Sequence, residues 1–217
     1  MTRSRNITLE AFTLVELFVI VGVIALMVAL VLPGMARANQ RAMRIQCTNN
    51  LKQLGLLFRT HAINGGSMLA PAASTNRETV VGGSTRSEVL RHFQVMSNEL
   101  STPKLLICPA DTRVAAKDFG LGFSITNLSY FLSLDAEETH PGMFLSGDRN
   151  LTNGLPIQDG LLVLPPNRPV GFTYELHNGQ GNIALADGSV QGWISGRVWS
   201  AVVGPPGIGM TNRLAMP

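Results

Sequence analysis

The residues of this chain that could do chemistry are few and widely spaced. His61, His92, His140 and His177 stand far apart, and no Gly-x-Ser-x-Gly elbow, P-loop lysine or Cys-x-x-Cys pair occurs, which argues against an enzyme. Three features remain. Glu16 opens an uncharged apolar run from Leu17 to Ala36, and an ionisable group beside hydrocarbon marks a place to look for function, although a carboxylate at a helix end also snorkels to headgroups at small cost. Cys47 and Cys108 allow either one intramolecular disulfide in an oxidising compartment or two small buried thiols. His177 precedes Asp187-Gly188 by nine intervening residues in the segment HNGQGNIALADGSV. Asp-Gly between two apolar runs is a hairpin signal, read here as a tight primed turn with Asp187 as a turn residue. The functional alternative is that the hairpin brings His177 and Asp187 together to hydrogen-bond or to help hold a cation. Calcium wants about six to eight oxygens. Asp187, Asp148, Asp159 and backbone carbonyls are the candidates to supply them, without a ligand-spaced cluster.

The elements that must carry these residues begin with an anchor. The run from Leu17 to Ala36 reaches the roughly 20 apolar residues a helix needs to cross a bilayer. Arg3 and Arg5 precede it while Arg37, Arg41 and Arg44 follow, so charge alone does not orient it. Ala36-Arg37-Ala38 has the small-x-small look of a secretory cleavage site, but the apolar run is long for a signal peptide. Behind the anchor, the rest of the 217 residues suffices for one domain. Charged residues are only 14% of the chain, Gly and Pro number 22 and 12, and the net charge of +3 is scattered, so the domain is loop-rich and nucleic acid is not an expected partner.

From Ala36 to about Ile63 apolar Cys47, Leu51, Leu54 and Phe58 share one helical face, with Arg44, Asn49, Asn50, Lys52 and Arg59 opposite; this predicts an amphipathic stem ending at Asn64-Gly65-Gly66. Residues 65–83 read as an irregular connection with a short strand at Thr79-Val80-Val81. Thr85-Arg86-Ser87-Glu88 fits a capping box ahead of a helix to about residue 98, with His92 as a surface or packing residue. Short strands are expected at Leu105–Ile107, Phe123–Leu134, Met143–Leu145, Leu161–Leu164 and Phe172–Leu176, and on both sides of Asp187-Gly188. Trp193 and Trp199 are expected to pack in the terminal sheet. The fold class is α+β, a long N-terminal helix on a small antiparallel sheet.

Ala11-Phe12-Thr13-Leu14-Val15-Glu16-Leu17, the apolar run behind it and Pro33 within it resemble the prepilin cleavage and methylation segment of type IV pilins and type II secretion pseudopilins. The Cys47–Leu54 segment, Leu105–Asp111 and the His-x9-Asp-Gly arrangement are similar to a large subfamily of these proteins. The resemblance implies a pilin-like fold and cleavage between Ala11 and Phe12 with N-methylation of Phe12. Its domains are a leader at 1–11, a membrane helix at 12–36, a stem at 37–64 and a head at 65–217. It also implies that Glu16 pairs with the Phe12 amine of a neighbouring subunit, and that a Cys47–Cys108 bond would tie head to stem. The family's usual Gly before the cut is Ala11 here, which is expected to slow processing. The implied partners are copies of itself or other pilin-like subunits, the prepilin peptidase and an inner-membrane assembly platform. The implied place is the inner membrane, N-terminus cytoplasmic and head periplasmic, and later a periplasmic or surface filament. A membrane-tethered binding module for a polymer or cation, signalled by exposed aromatics near Trp193 and Trp199, is the alternative.

Overall fold

The structure, a computed structural model, describes residues 13–64, 85–137, 139–203 and 212–217. Ala11, Phe12 and the strand expected at 79–81 lie outside the described residues. Helix α1, Leu14–Ile63, begins with a reciprocal cap. The Thr13 carbonyl accepts from Leu17 N–H (3.2 Å) and its hydroxyl from Glu16 N–H (3.3 Å). Glu16 Oε2 in turn accepts from Thr13 N–H (2.9 Å) and from the Thr13 hydroxyl (2.7 Å). This satisfies donors that a helix start leaves open.

By its contacts the chain divides into two units between Arg41 and Ala42. In the first, α1 passes through Pro33 and its apolar side chains are exposed; none of the membrane-length window is buried. This is one helix long and apolar enough to span a membrane.

In the second unit α1 serves as core. Cys47, Leu51, Leu54 and Phe58, at helical spacing, are fully buried. They meet Val89 and Phe93 of α2, Thr85–Val95, then Met96 and Leu100, the last of these on the short α3, Ser97–Leu100. Against them lies one face of a six-stranded antiparallel sheet. In chain order its strands are β1 (Tyr130–Ser133), β2 (Phe144–Asp148), β4 (Leu161–Leu164), β6 (Gln180–Leu185), β7 (Val190–Ile194) and β8 (Asn212–Ala215). In space they run β4-β8-β1-β2-β6-β7, while β3 (Leu151–Thr152) and β5 (Gly171–Phe172) form a separate pair.

Side chains alternate across the sheet, as the pleat requires. Tyr130, Leu132, Leu145 and Ala184 face the stem, whereas Phe131, Phe144, Ile183 and Leu214 enter a second core with Val198 and Val202 of α4, Ser195–Val203. The expected sheet with one covered face is thus a sheet covered on both. Trp199 sits half-buried on α4 rather than in a strand, because Ser195 turns the chain into a helix whose apolar side closes the far face.

Other local expectations also change. Leu105–Ile107 is not a strand: Pro103 fixes φ, the Thr102 hydroxyl accepts from Lys104 N–H, and a 3-10 turn covers Pro103–Leu106. Within Phe123–Leu134 a 3-10 turn at Ile125–Asn127 comes first and only Tyr130–Ser133 is strand. Phe172–Leu176 is strand only at Phe172. The helix from Thr85 stops at Val95, and α3 follows.

Cys47 and Cys108, 61 positions apart, are joined by a disulfide that ties the stem to the segment entering the sheet. Replacing both, Cys47→Ala with Cys108→Ala, is predicted to lower the stability of this unit by about 4 kcal/mol, the loop-closure entropy released to the unfolded chain. Urea unfolding of the detergent-solubilised chain, followed by near-ultraviolet circular dichroism, measures the loss.

Candidate functional site

Four side chains from four segments converge on the disulfide. Cys47 comes from the stem and Cys108 follows the 3-10 turn at Pro103–Leu106; Asp148 ends the central strand β2; His177 lies in the turn before β6. His177 Nε2 is 3.3 Å from Cys108 Sγ and 3.4 Å from Asp148 Oδ2. The side chains of Asp148 and His177 are 0% and 2% exposed, so this is an interior site.

His177 is held there by an unusual backbone. His177, Asn178 and Gly179 have φ of 51°, 54° and 75°, a left-handed run that costs energy at the two non-glycine positions. Buried Asn150 compensates. Its Nδ2 lies within hydrogen-bond reach of the carbonyls of Thr173 (2.9 Å), Leu176 (3.0 Å) and Gln180 (3.0 Å), and its backbone carbonyl accepts from Thr173 N–H at 2.7 Å.

Asp148 is fixed from the other side. Its Oδ2 accepts from Asn182 N–H (2.7 Å) and from Asn182 Nδ2 (2.8 Å), while Asn182 Oδ1 accepts from the Thr48 hydroxyl of the stem at 3.2 Å. Oδ1 of Asp148 is buried without a hydrogen-bond partner among the described residues. Burial pushes its carboxyl up to about 7, against the pull of the Asn182 donors and of the Arg44 cation. Burial, and Arg44 in addition, push His177 down to about 4. Asn150, Asn182 and Thr48 escaped sequence reasoning, since isolated polar residues in strands and on a stem carry no spacing signal.

Asp187 is elsewhere. It is exposed on the β6–β7 turn, where Oδ1 accepts from Ser189 N–H at 2.8 Å, and it does not meet His177. The turn is also not primed. Gly188 alone has positive φ (82°), and Leu185 N–H bonds back to Ser189 C=O at 2.9 Å, the pattern of a type I turn closed by a glycine bulge. Gly188 lies in contact range of Gly55 and Arg59, so the turn rests on the stem. Asp159 occupies another turn, at φ 48°. Among the described residues, the group of His, Cys and carboxylate donors close enough to share an ion is Cys47, Cys108, Asp148 and His177. Of the three calcium candidates only Asp148 belongs to it. A set with two sulfurs is not the oxygen cage that calcium takes.

No family model, curated protein or solved structure matches this chain. The site is therefore read from its own chemistry. His92, the other deeply buried histidine, packs on Phe58 (5.3 Å between ring centres) and is pushed down to about 3 by burial, which suits a neutral core residue. His61 instead pairs with Glu99 at 3.2 Å.

The two titrating groups at the disulfide act in opposite directions on stability. His177, depressed to about 4 from 6.5, makes stability rise with pH from about 4 to 6.5, where the unfolded chain binds the extra proton. Asp148, raised to about 7 from 3.8, makes stability fall with pH from about 3.8 to 7, where the folded chain holds it. The two slopes offset each other in the native chain. Asp148→Asn removes the falling one, so the melting temperature of the variant is predicted to climb from pH 4 to 6.5 more steeply than that of the parent. Thermal melts across that range, compared with His177→Gln, which should leave the falling slope alone, check the sign.

Proposed function

We propose that this chain is a structural, non-catalytic subunit of a type IV pilin-like filament or type II secretion pseudopilus, made as a prepilin and assembled through its N-terminal helix. One observation carries the proposal. A single helix opens at Thr13/Glu16, exposes only apolar side chains from Leu17 to Ala36, and from Cys47 onward contributes a buried stripe to the core of an α+β domain. A helix of that kind can trade lipid contacts for those of neighbouring copies with little hydrophobic gain, so specific polar contacts must set the register. Glu16 is the acidic residue at its start, and the new amine that cleavage before Phe12 would create is the cation for it to meet.

Within one chain Glu16 already caps its own helix, which gives it two separable roles. Trp193 is buried against Phe144 (ring centres 5.8 Å) and Trp199 is half-buried in the second core, so neither supports the binding-module alternative.

Mass spectrometry of the membrane-extracted protein should find an N-terminal peptide that begins at N-methylated Phe12; one beginning at Asn39 would mean a secreted protein, and one retaining Met1 or Thr2 an unprocessed anchor. Glu16→Gln should leave membrane insertion intact and abolish recovery in detergent-resistant oligomers. Thr13→Ala, which loses about 1 kcal/mol of capping but keeps the carboxylate, should still assemble. Equal loss in both variants would assign Glu16 to capping alone, and normal assembly of Glu16→Gln would remove its role in the filament.

A further inference from the structure

The pocket around the disulfide contains more than a disulfide needs. A buried cross-link is best surrounded by apolar side chains, yet here a histidine in a strained backbone and a fully buried carboxylate both lie against it. Oδ1 of that carboxylate has no hydrogen-bond partner among the described residues, an arrangement that costs free energy in a core and that filament assembly does not require. Two sulfurs, one imidazole nitrogen and one carboxylate oxygen lie within 4.8 Å of one another. Tetrahedral zinc, with bonds of about 2.0–2.3 Å, sets its ligand atoms about 3.3–3.8 Å apart. Nε2 of His177 already stands 3.3 Å from Cys108 Sγ and 3.4 Å from Asp148 Oδ2. The bond between the sulfurs is what keeps a metal out, because a disulfide sulfur is no thiolate.

We propose that, when this disulfide is open, Cys47, Cys108, His177 and Asp148 form a four-coordinate site for one zinc-class dication. A dithiol supplies the opening: it gives two electrons and two protons to the Cys47–Cys108 bond, yielding two thiols, and leaves as its own disulfide. On binding, each thiol releases its proton to solvent and donates a sulfur lone pair, neutral His177 donates its Nε2 lone pair, and Asp148 releases to solvent the proton it holds when protonated and binds as carboxylate; the metal does not change oxidation state. Two thiolates and a carboxylate against a dication leave one negative charge. Arg44, close enough to act electrostatically on both Asp148 and His177, offsets it. Asn182, which donates twice to Asp148, and Asn150, which secures the His177 turn, orient the ligands from outside. The metal would take over the disulfide's task of fastening stem to sheet wherever the thiols are reduced.

The test uses the full chain in detergent, reduced with dithiol, freed of excess reductant without air and titrated with cobalt(II). The expected result is thiolate-to-cobalt charge transfer with tetrahedral ligand-field bands saturating at one equivalent. Both cysteines should then resist iodoacetamide, and the oxidised chain should give neither signal. Asp148→Asn and His177→Ala should each weaken binding at least the roughly ten-fold seen when even an outer-shell partner is lost. Their near-ultraviolet circular dichroism in the oxidised state verifies that they fold. An octahedral or absent cobalt spectrum, binding indifferent to both substitutions, or a reduced chain that unfolds and is not restored by metal would each overturn the proposal.

Discussion

One helix carries two kinds of surface, and the rest of the structure follows from that constraint. From Leu17 to Ala36, α1 exposes only apolar side chains around its whole circumference, a surface stable in lipid and costly in water. From Ala42 the same helix narrows its apolar surface to the stripe of Cys47, Leu51, Leu54 and Phe58, which suits a protein core. Nothing in the backbone marks the change. It is written wholly in side chains, beginning with Arg37, Arg41 and Arg44, and the sheet has to grip the stem strongly enough that only the stripe determines which face is buried.

That grip is polar as much as apolar. Arg44 donates to Gln180, Thr48 to Asn182, Asn50 to the carbonyl of Ile107 and Arg59 to the carbonyl of Ala186. Arg44, Asn50 and Arg59, expected opposite the stripe, flank it instead and are partly buried, as is Thr48. Of the polar set named from the sequence only Asn49 and Lys52 are exposed. The apolar stripe supplies most of the free energy, at about 25 cal/mol per Å² buried, but it tolerates sliding by a turn. Directional bonds at both edges of the stripe do not, and the disulfide removes whatever freedom is left.

How much of this was legible depended on how local each signal is. The long apolar helix rests on one unbroken run, the stem stripe, the strand at Leu161–Leu164 and the hairpin about Asp187-Gly188 on patterns within about ten residues, and these elements stand where the local pattern put them. The cap made by Thr13 and Glu16 has the form Thr-x-x-Glu, a local signal masked by the standing of Glu16 as a charge beside an apolar run. Helix α4 was missed because Trp, Val and Ile around it carry strand propensity, and only the uncovered far face of the sheet selects a helix. The Asp148–His177 contact could not be read at all. It joins residues 29 positions apart through a left-handed turn that Asn150 secures from yet another segment.

The spacing between His177 and Asp187 then has a geometric cause that needs no contact between them. Strand β6 runs beside the stem, with Gln180 at Arg44, Asn182 at Thr48 and Ala186 at Arg59. Six strand steps of about 3.3 Å cover roughly 20 Å. Fifteen helix steps from Arg44 to Arg59, at about 1.5 Å each, cover roughly 22 Å. The two lengths match, so the His end of the segment falls at the disulfide and the Asp-Gly end falls beside Gly55 and Arg59 of the helix. One residue more or fewer would turn Asn182 to the far face of the sheet and Ile183 toward the stem, exchanging the partner of Asp148 for a hydrocarbon. The interval therefore measures the stem, and the two ends of the motif do separate work: one completes the polar pocket at the disulfide, the other seats the hairpin on the helix.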